Sequence, residues 1–395
     1  MIIWLSLIIP FFTALILLVC FARRVTWWEL LIPLGVSFVL IGSMKLGVDT
    51  FIASDTEYWT GWATKAEYHE AWTEEWDTTD TVTDSKGKSH TERHHHVSHH
   101  PPTWDIYGNN GEDISISSGY YQQLCGMWKN NTKTTLHHMN QTSWFDGNMF
   151  TTTWPHQRDT TVVLTTTHTY TNKVKVSRSV FHFEKINEKR AKESGLYDYP
   201  PVKDVTSVPS ILGNGGPTTG PANRELCLRN AEMGHAKQVR MWFLIYHDTD
   251  QQTGLDQESY WCGGNKNEVV VCIGVDKDFK VKWCYPFSWC EDEEMKIAIR
   301  QAVTAQDSLD LVKAVGDTSQ LVQAQFHRKH FKDFNYLTIE PPLWSIMTTF
   351  FLTLAVNVGL SFWIVLNDYN PDTDNSEQKL EHFASRVAGR FKRKS

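Results

Sequence analysis

Met1-Ile-Ile-Trp-Leu-Ser-Leu-Ile-Ile-Pro-Phe-Phe-Thr-Ala-Leu-Ile-Leu-Leu-Val-Cys-Phe-Ala22 opens the chain without a charge before Arg23 and Arg24. An α-helix rises about 1.5 Å per residue, so some 20 residues cross the roughly 30 Å hydrocarbon layer of a bilayer. Leu343 to Leu366 is likewise uncharged, with Trp344 near one end and Trp363 near the other, where spanning helices meet the interface. A third run, Trp27 to Val48, is interrupted by Lys45, which predicts either a span with a snorkelling lysine or a partly embedded hairpin arm. A cleaved signal peptide would need a basic start and a small-residue cleavage site. Met1-Ile-Ile-Trp4 supplies neither, and Cys20 lacks the small residue that precedes a lipoprotein cysteine. The expectation is an integral membrane, α+β protein. Two N-terminal transmembrane helices (1–48) and one C-terminal helix (343–366) flank a large β-rich extracytoplasmic domain.

Orientation follows from basic residues near the spans. Arg23 and Arg24 fill the first link, and the tail (367–395) carries Arg386, Arg390, Lys392, Arg393 and Lys394. With three spans these two patches share a side, which is predicted to be the cytoplasm. Residues 49–342 are then expected in the periplasm or exterior, from an anchor in the inner (plasma) membrane. Of 38 Lys and Arg, nine lie outside residues 49–342; of 45 Asp and Glu, six do, leaving 29 against 39. A net charge of about −10 argues against a nucleic-acid partner, whose phosphates call for a basic surface.

Within 49–199, a β-rich region, Trp62 to Trp76 alternates with period two, predicting a half-buried strand, although Trp62, Ala66, His69, Trp72 and Trp76 would also line a helix. Asp77 to His100 is polar and turn-rich, an exposed loop or long hairpin. Thr160 to Phe183 predicts a strand pair or ribbon, and Glu184 to Glu193 a short helix. Residues 200–223, rich in Pro and Gly, read as a linker or surface-crossing loop. In 224–342, Val239–Tyr246, Glu268–Val275 and Val281–Phe287 predict strands. Helices are expected near 291–304, 308–315 and 320–331, making an α+β subdomain. Counting back from Val275 opposite Val281 brings Cys272 opposite Cys284, a register that would suit a disulfide; the alternative is a buried free thiol at Cys272.

Hydrolase, zincin, phosphate-loop, dinucleotide and C-x-x-C motifs are all missing. Two constellations remain. His90, His94, His95, His96, His99 and His100, with His137 and His138 further on, supply neutral imidazoles, the commonest metal ligands. His94, His96, His99 and His137 are the candidate ligands, for zinc, against the alternative of a solvated histidine-biased loop. His327 and His330 form a second, weaker pair. Trp261-Cys-Gly-Gly-Asn-Lys-Asn-Glu268 packs polar side chains around two glycines and predicts either a site at a strand entrance or a tight turn.

Asp55-Thr-Glu-Tyr-Trp-Thr-Gly61, His100-Pro-Pro-Thr-Trp104, Gly195-Leu-Tyr-Asp-Tyr-Pro200 and the Trp261–Glu268 string together resemble an uncharacterised family of phage-encoded membrane proteins. The resemblance covers most of the chain in the same order. It implies a viral origin and a host-membrane destination, and assigns no catalytic residue. Val239 to Ala305 is similar in pattern to the small extracytoplasmic domain named for Thr-Pro-Met proteins, some of which are phosphatases, but its acidic metal ligands have no matching positions here. Two functions are therefore expected as alternatives. One is a non-enzymatic interaction protein contacting a host envelope protein or another phage protein, for example in superinfection exclusion. The other is a metal-dependent envelope hydrolase carried by 224–342.

Overall fold

A computed structural model of the chain describes residues 2–21, 25–83, 87–138, 144–176, 183–201, 208–290, 292–328 and 336–367. After a 3-10 stretch at Ile2–Leu7, the elements are α1 (Ile8–Phe21), α2 (Leu31–Ala53), β1 (Ser54–His69), β2 (Trp72–Thr83), β3 (Ser89–His100), β4 (Thr103–Gly108), β5 (Asp113–Ser115), α3 (Ser118–Trp128), β6 (Thr132–His137) and β7 (Phe145–Thr153). There follow β8 (Val163–Thr171), α4 (Lys173–Val176), α5 (Glu188–Glu193), β9 (Ile211–Leu212), α6 (Thr219–Lys237), β10 (Arg240–His247), α7 (Gln252–Tyr260), β11 (Glu268–Val275), β12 (Val281–Ser288), α8 (Glu293–Thr304), α9 (Leu311–Gln325) and α10 (Leu343–Asn367). The chain divides into two compact units, one of residues 1–55, 170–182 and 331–395, the other of 56–169 and 183–330.

The first unit holds three helices long and apolar enough to cross a membrane: Ile3–Phe21, Leu31–Ala53 and Leu343–Asn367. The second begins later than its apolar run suggests. Ahead of it, the Glu29 carboxylate accepts from the Thr26 N–H at 2.7 Å and the Thr26 hydroxyl at 2.8 Å. Lys45 is ion-paired one turn on with Asp49. Asn357 of α10 donates to Ser37 Oγ of α2 at 2.7 Å and faces Thr13 of α1. Ser345, Thr349, Thr353 and Asn357, spaced by four, are all fully buried. A polar stripe thus joins the helices.

The second unit has two larger sheets and a ribbon. One sheet runs β5-β4-β1-β7-β6, with β8 also paired to β1. Its core gathers Ala63, Ala66, Ile106 and Leu164 against Tyr121, Leu124 and Trp128 of α3. The alternation through Trp76 is strand, as the period predicts, but broken between His69 and Trp72 into β1 and β2. Asp77 to His100 belongs to a hairpin: β2 and β3 pair antiparallel over their whole lengths, from Trp72 with His100 to Thr83 with Ser89. Thr160 to Phe183 predicts a pair of strands and holds only β8 and α4, residues 177–182 lying outside the described residues.

The other sheet runs β12-β11-β10-β9, parallel except for β12. β10 and β11 are buried along nearly their whole lengths, as strands covered on both faces must be. Met241, Phe243, Ile245, Val271 and Ile273 face α6, α8 and α9, while Trp242, Leu244, Tyr246, Val270 and Cys272 face an aromatic layer. Residues 211–212 and 219–223, expected in a linker, are instead β9 and the first turn of α6. The two helices expected at 308–315 and 320–331 are one, α9, capped by Asp310.

The expected Cys272–Cys284 register is corrected by a bulge. Val275 does lie opposite Val281, but Gly274 then pairs with Trp283, Ile273 with Cys284 and Cys272 with Tyr285. Lys282 is skipped because the Trp283 indole lies over Gly274, where a Cβ would stand 1.9 Å from Nε1, and Trp283 donates to the Thr249 carbonyl at 2.8 Å. A one-residue slip turns every later side chain to the other face. Both thiols are free.

Candidate functional site

The predicted histidine ligands are not brought together. His94 and His96 share one ribbon face and His99, an odd number of residues away, has the other. His94 lies 3.7 Å from Asp80. His96 meets Thr78 Oγ1 at 2.8 Å and stacks on Trp76, its ring 5.2 Å away. His99 meets Thr73 Oγ1 at 3.1 Å. His137, on β6, donates to the Trp144 carbonyl at 3.3 Å. Among the described residues, no group of three or more His, Cys, Asp or Glu is placed to hold a metal ion. His330 lies outside the described residues.

A different histidine sits at the ribbon's base. His138 is bonded to Asp146 and stands 3.2 Å from Glu74, whose other oxygen is 3.4 Å from His100. Trp72 stacks on His100 at 4.0 Å. The Asp146 bond raises the His138 pKa above the usual imidazole value.

Three of the four strings quoted above meet in one buried cluster. Tyr58 stacks on Tyr199 with the rings 5.7 Å apart and 3° from parallel, and its hydroxyl bonds the Pro200 carbonyl. Tyr199 in turn donates to Glu268, which also accepts from Trp242 Nε1 at 2.9 Å and the Asn265 N–H at 2.8 Å. Asn267 donates to the Tyr58 carbonyl, and Trp261 to the Tyr197 carbonyl, each at 2.8 Å. Arg240 lies opposite Glu268 in the ladder and on the same face. It donates to Thr60 Oγ1 at 2.8 Å, Ser210 Oγ at 2.9 Å and the Val208 carbonyl at 3.2 Å. Its guanidinium lies 4.5 Å from the Trp242 ring and 5.3 Å from that of Tyr58. The fourth string contributes Trp104 elsewhere, stacked on Tyr68 at 5.2 Å.

Local backbone explains why Trp261–Glu268 folds this way. Cys262, Gly263 and Gly264 take φ of 51°, 81° and 77° in succession, a left-handed run that two glycines make accessible. A Cβ on Gly263 would meet the Trp289 ring at 2.9 Å. The turn delivers Asn265, Lys266, Asn267 and Glu268 to the interior, all at most 5 % exposed. Beside them, Glu57 is ion-paired to Arg328 and accepts from Trp59 Nε1 at 2.8 Å.

Burial sets the electrostatics here. Desolvation raises the Glu268 pKa, against the pull of the Tyr199, Asn265 and Trp242 hydrogen bonds, and lowers that of Arg240. Lys266 is pushed down to about 8, chiefly by burial. Sequence reasoning singled out the Trp261–Glu268 string but missed Arg240, Glu57 and Tyr199 as its partners. The available signals were a charge at the head of each of two apolar strands, Arg240 and Glu268, and the rare aromatic content of the other strings. Chemically, the cluster fastens the entrance of the β10–β11 pair to β1 and to the 195–200 segment. Compared with known proteins, the chain matches no family model, no curated protein and no solved structure.

Proposed function

We propose that this chain is a phage-type, membrane-anchored binding protein. It presents its β-rich unit outside the cytoplasm to a host envelope component or another virus protein, with the β2–β3 ribbon as the contact surface. The observation that carries the reading is the ribbon itself. It pairs twelve residues with twelve, roughly 40 Å of strand, yet its outer half is exposed on both faces. Two-stranded ribbons are marginal alone in water, and a partner strand or surface would complete this one. The exposed outer half combines Thr79, Thr81, Asp80, Glu92, Arg93 and His94, groups suited to a polar, hydrogen-bonding contact. For the orientation, α1 and α10 run parallel, as Thr13 beside Asn357 and Leu17 clustered with Ile364 require. That arrangement supports placing the Arg23–Arg24 link and the basic tail on one side.

The test uses the full chain in membranes of the infected host, with a photo-crosslinking residue at Thr79. One protein partner should be captured, and capture should vanish when residues 78–94 are replaced by a two-residue turn while the chain stays in the membrane. Undiminished capture would sink the ribbon as contact surface. A reporter active only outside the cytoplasm should be silent after Ser395 and active after a truncation near Pro201; the reverse pattern would overturn the orientation.

A further inference from the structure

The β2–β3 ribbon pairs with no other strand among the described residues. Two short links, Glu70–Ala71 and Pro101–Pro102, join it to β1 and β4 of the neighbouring sheet. Its angle to that sheet therefore depends on side chains at its base. There His138, just past the end of β6, stands between carboxylates from two different elements. Its Nδ1 is bonded to Asp146 of β7, and its Nε2, shut off from solvent, faces Glu74 of β2 at 3.2 Å. Trp72, also of β2, meets the ring 5.7 Å away. A neutral imidazole carries one N–H and one lone pair, and here its lone pair would face a carboxylate. Only the imidazolium, with an N–H on each nitrogen, suits both neighbours.

We infer that Glu74, His138 and Asp146 form a proton-controlled latch: the imidazolium pins the base of the ribbon to the β6–β7 hairpin, and loss of its proton frees the ribbon to turn about its two links. The inference stands on this geometry and holds whether or not the ribbon meets a partner. The other titratable groups around the ring make different contacts. His100 of β3 faces the second Glu74 oxygen at 3.4 Å, but β3 is the ribbon's own strand, so that contact ties the ribbon to itself. Glu70, in the first link, accepts from Asn148 at 2.6 Å, and His69 Nδ1 of β1 lies 2.9 Å from the Glu70 carbonyl. His137 meets the Trp144 carbonyl within its own hairpin. The direction of the response follows from the Asp146 bond, which raises the His138 pKa. A group raised by docking favours the docked state at low pH and loses that contribution as pH climbs through its docked value. The latch is therefore closed in acid and opens on the alkaline side of the ordinary imidazole value of about 6.5.

The full chain is reconstituted in lipid vesicles with spin labels on genetically encoded ketone side chains at Thr81, exposed on the ribbon, and Gln123, exposed on α3. The distance distribution should be narrow at pH 6. A second, displaced population should grow several-fold by pH 9, with its midpoint above about 6.5. His138→Gln should show the displaced population at both pH values. Glu74→Gln should stay docked at both, since its amide can donate to a neutral ring or accept from a charged one. His100→Gln should keep the response of the unsubstituted chain. One unchanged distribution from pH 6 to pH 9 would overturn the latch, as would a His138→Gln ribbon that stays docked or still responds. A response that vanishes in His100→Gln, or persists in Glu74→Gln, would overturn the assignment to His138. No partner enters these measurements, so their failure is separate from failure of the contact proposed for the ribbon.

Discussion

Cys284 lies opposite Ile273 and not opposite Cys272, so the two thiols face opposite sides of one sheet, Cys284 toward the helices and Cys272 toward the aromatic layer. Their side chains therefore point away from one another, and no disulfide can join them without rebuilding the bulge.

From this, both thiols should be recovered free from non-reduced protein. Burial raises the Cys272 pKa well above the usual thiol value and takes Cys284 up to about 12. The reactive thiolate is therefore scarce at pH 8. Alkylating reagent should leave both unmodified in the folded chain and label both after denaturation. A Cys272–Cys284 peptide in a non-reduced digest would contradict the register.

Glu268 accepts from Tyr199, Trp242 and the Asn265 N–H, an arrangement that glutamine cannot copy. With its oxygen kept toward Tyr199 and Trp242, the amide NH₂ of Glu268→Gln would face the Asn265 N–H, donor against donor. The expected cost is on the order of 1–3 kcal/mol, the penalty for an unsatisfied buried group. Thermal unfolding followed by tryptophan fluorescence would read it. A Glu268→Gln chain as stable as the original would mean that the carboxylate is not held as described.

Lys266 sets a pH window. Its pKa is about 8 when folded, against 10.5 for an unburied lysine. Between those values the unfolded chain binds the extra proton, so this group makes stability rise with pH from about 8 to about 10.5. Below pH 8 its full destabilising contribution is present. Lys266→Met should abolish that slope, so the variant's advantage over the original chain shrinks by on the order of 2–3 kcal/mol as pH rises through the window. Comparing the two chains cancels the tyrosines that titrate above it. A difference that stays constant from pH 7.5 to 10.5 would refute the assignment.

Much of this architecture is legible in the sequence, for identifiable reasons. The long apolar runs fold as helices long and apolar enough to cross a membrane, and β10 and β11 declare burial on both faces by their unbroken apolar character. What escaped reading depends on contacts between distant residues. The Gly220–Pro221 pair reads as linker, yet proline is tolerated in the first helical turn, where its missing N–H has no partner to lose, and α6 begins there. The bulge at Lys282 comes from Trp283 lying over Gly274, which no local pattern reports. The histidine run shows density, but the strand period that groups His94 with His96 also turns His99 away. The buried cluster was half visible: its strings stood out through rare residues, while their convergence is a property of the folded chain.

Asn357 supplies the last prediction. It is fully buried in α10, donates to Ser37 Oγ at 2.7 Å and to the Thr353 carbonyl at 2.8 Å, and accepts weakly from Thr13 at 3.4 Å. Only the Ser37 and Thr13 contacts bind α10 to its neighbours, since the Thr353 contact lies within the helix. Hydrogen bonds between spanning helices average about 0.6 kcal/mol and reach about 1.7, because the separated helices also find partners. Asn357→Leu keeps the apolar length of the span and removes both links. The bundle should lose on the order of 1 kcal/mol. A double-mutant cycle with Ser37→Ala, read by detergent-titrated unfolding of the full chain, should give a coupling of about 0.6–1.7 kcal/mol. A coupling of zero would mean that these two side chains do not hold α2 and α10 together.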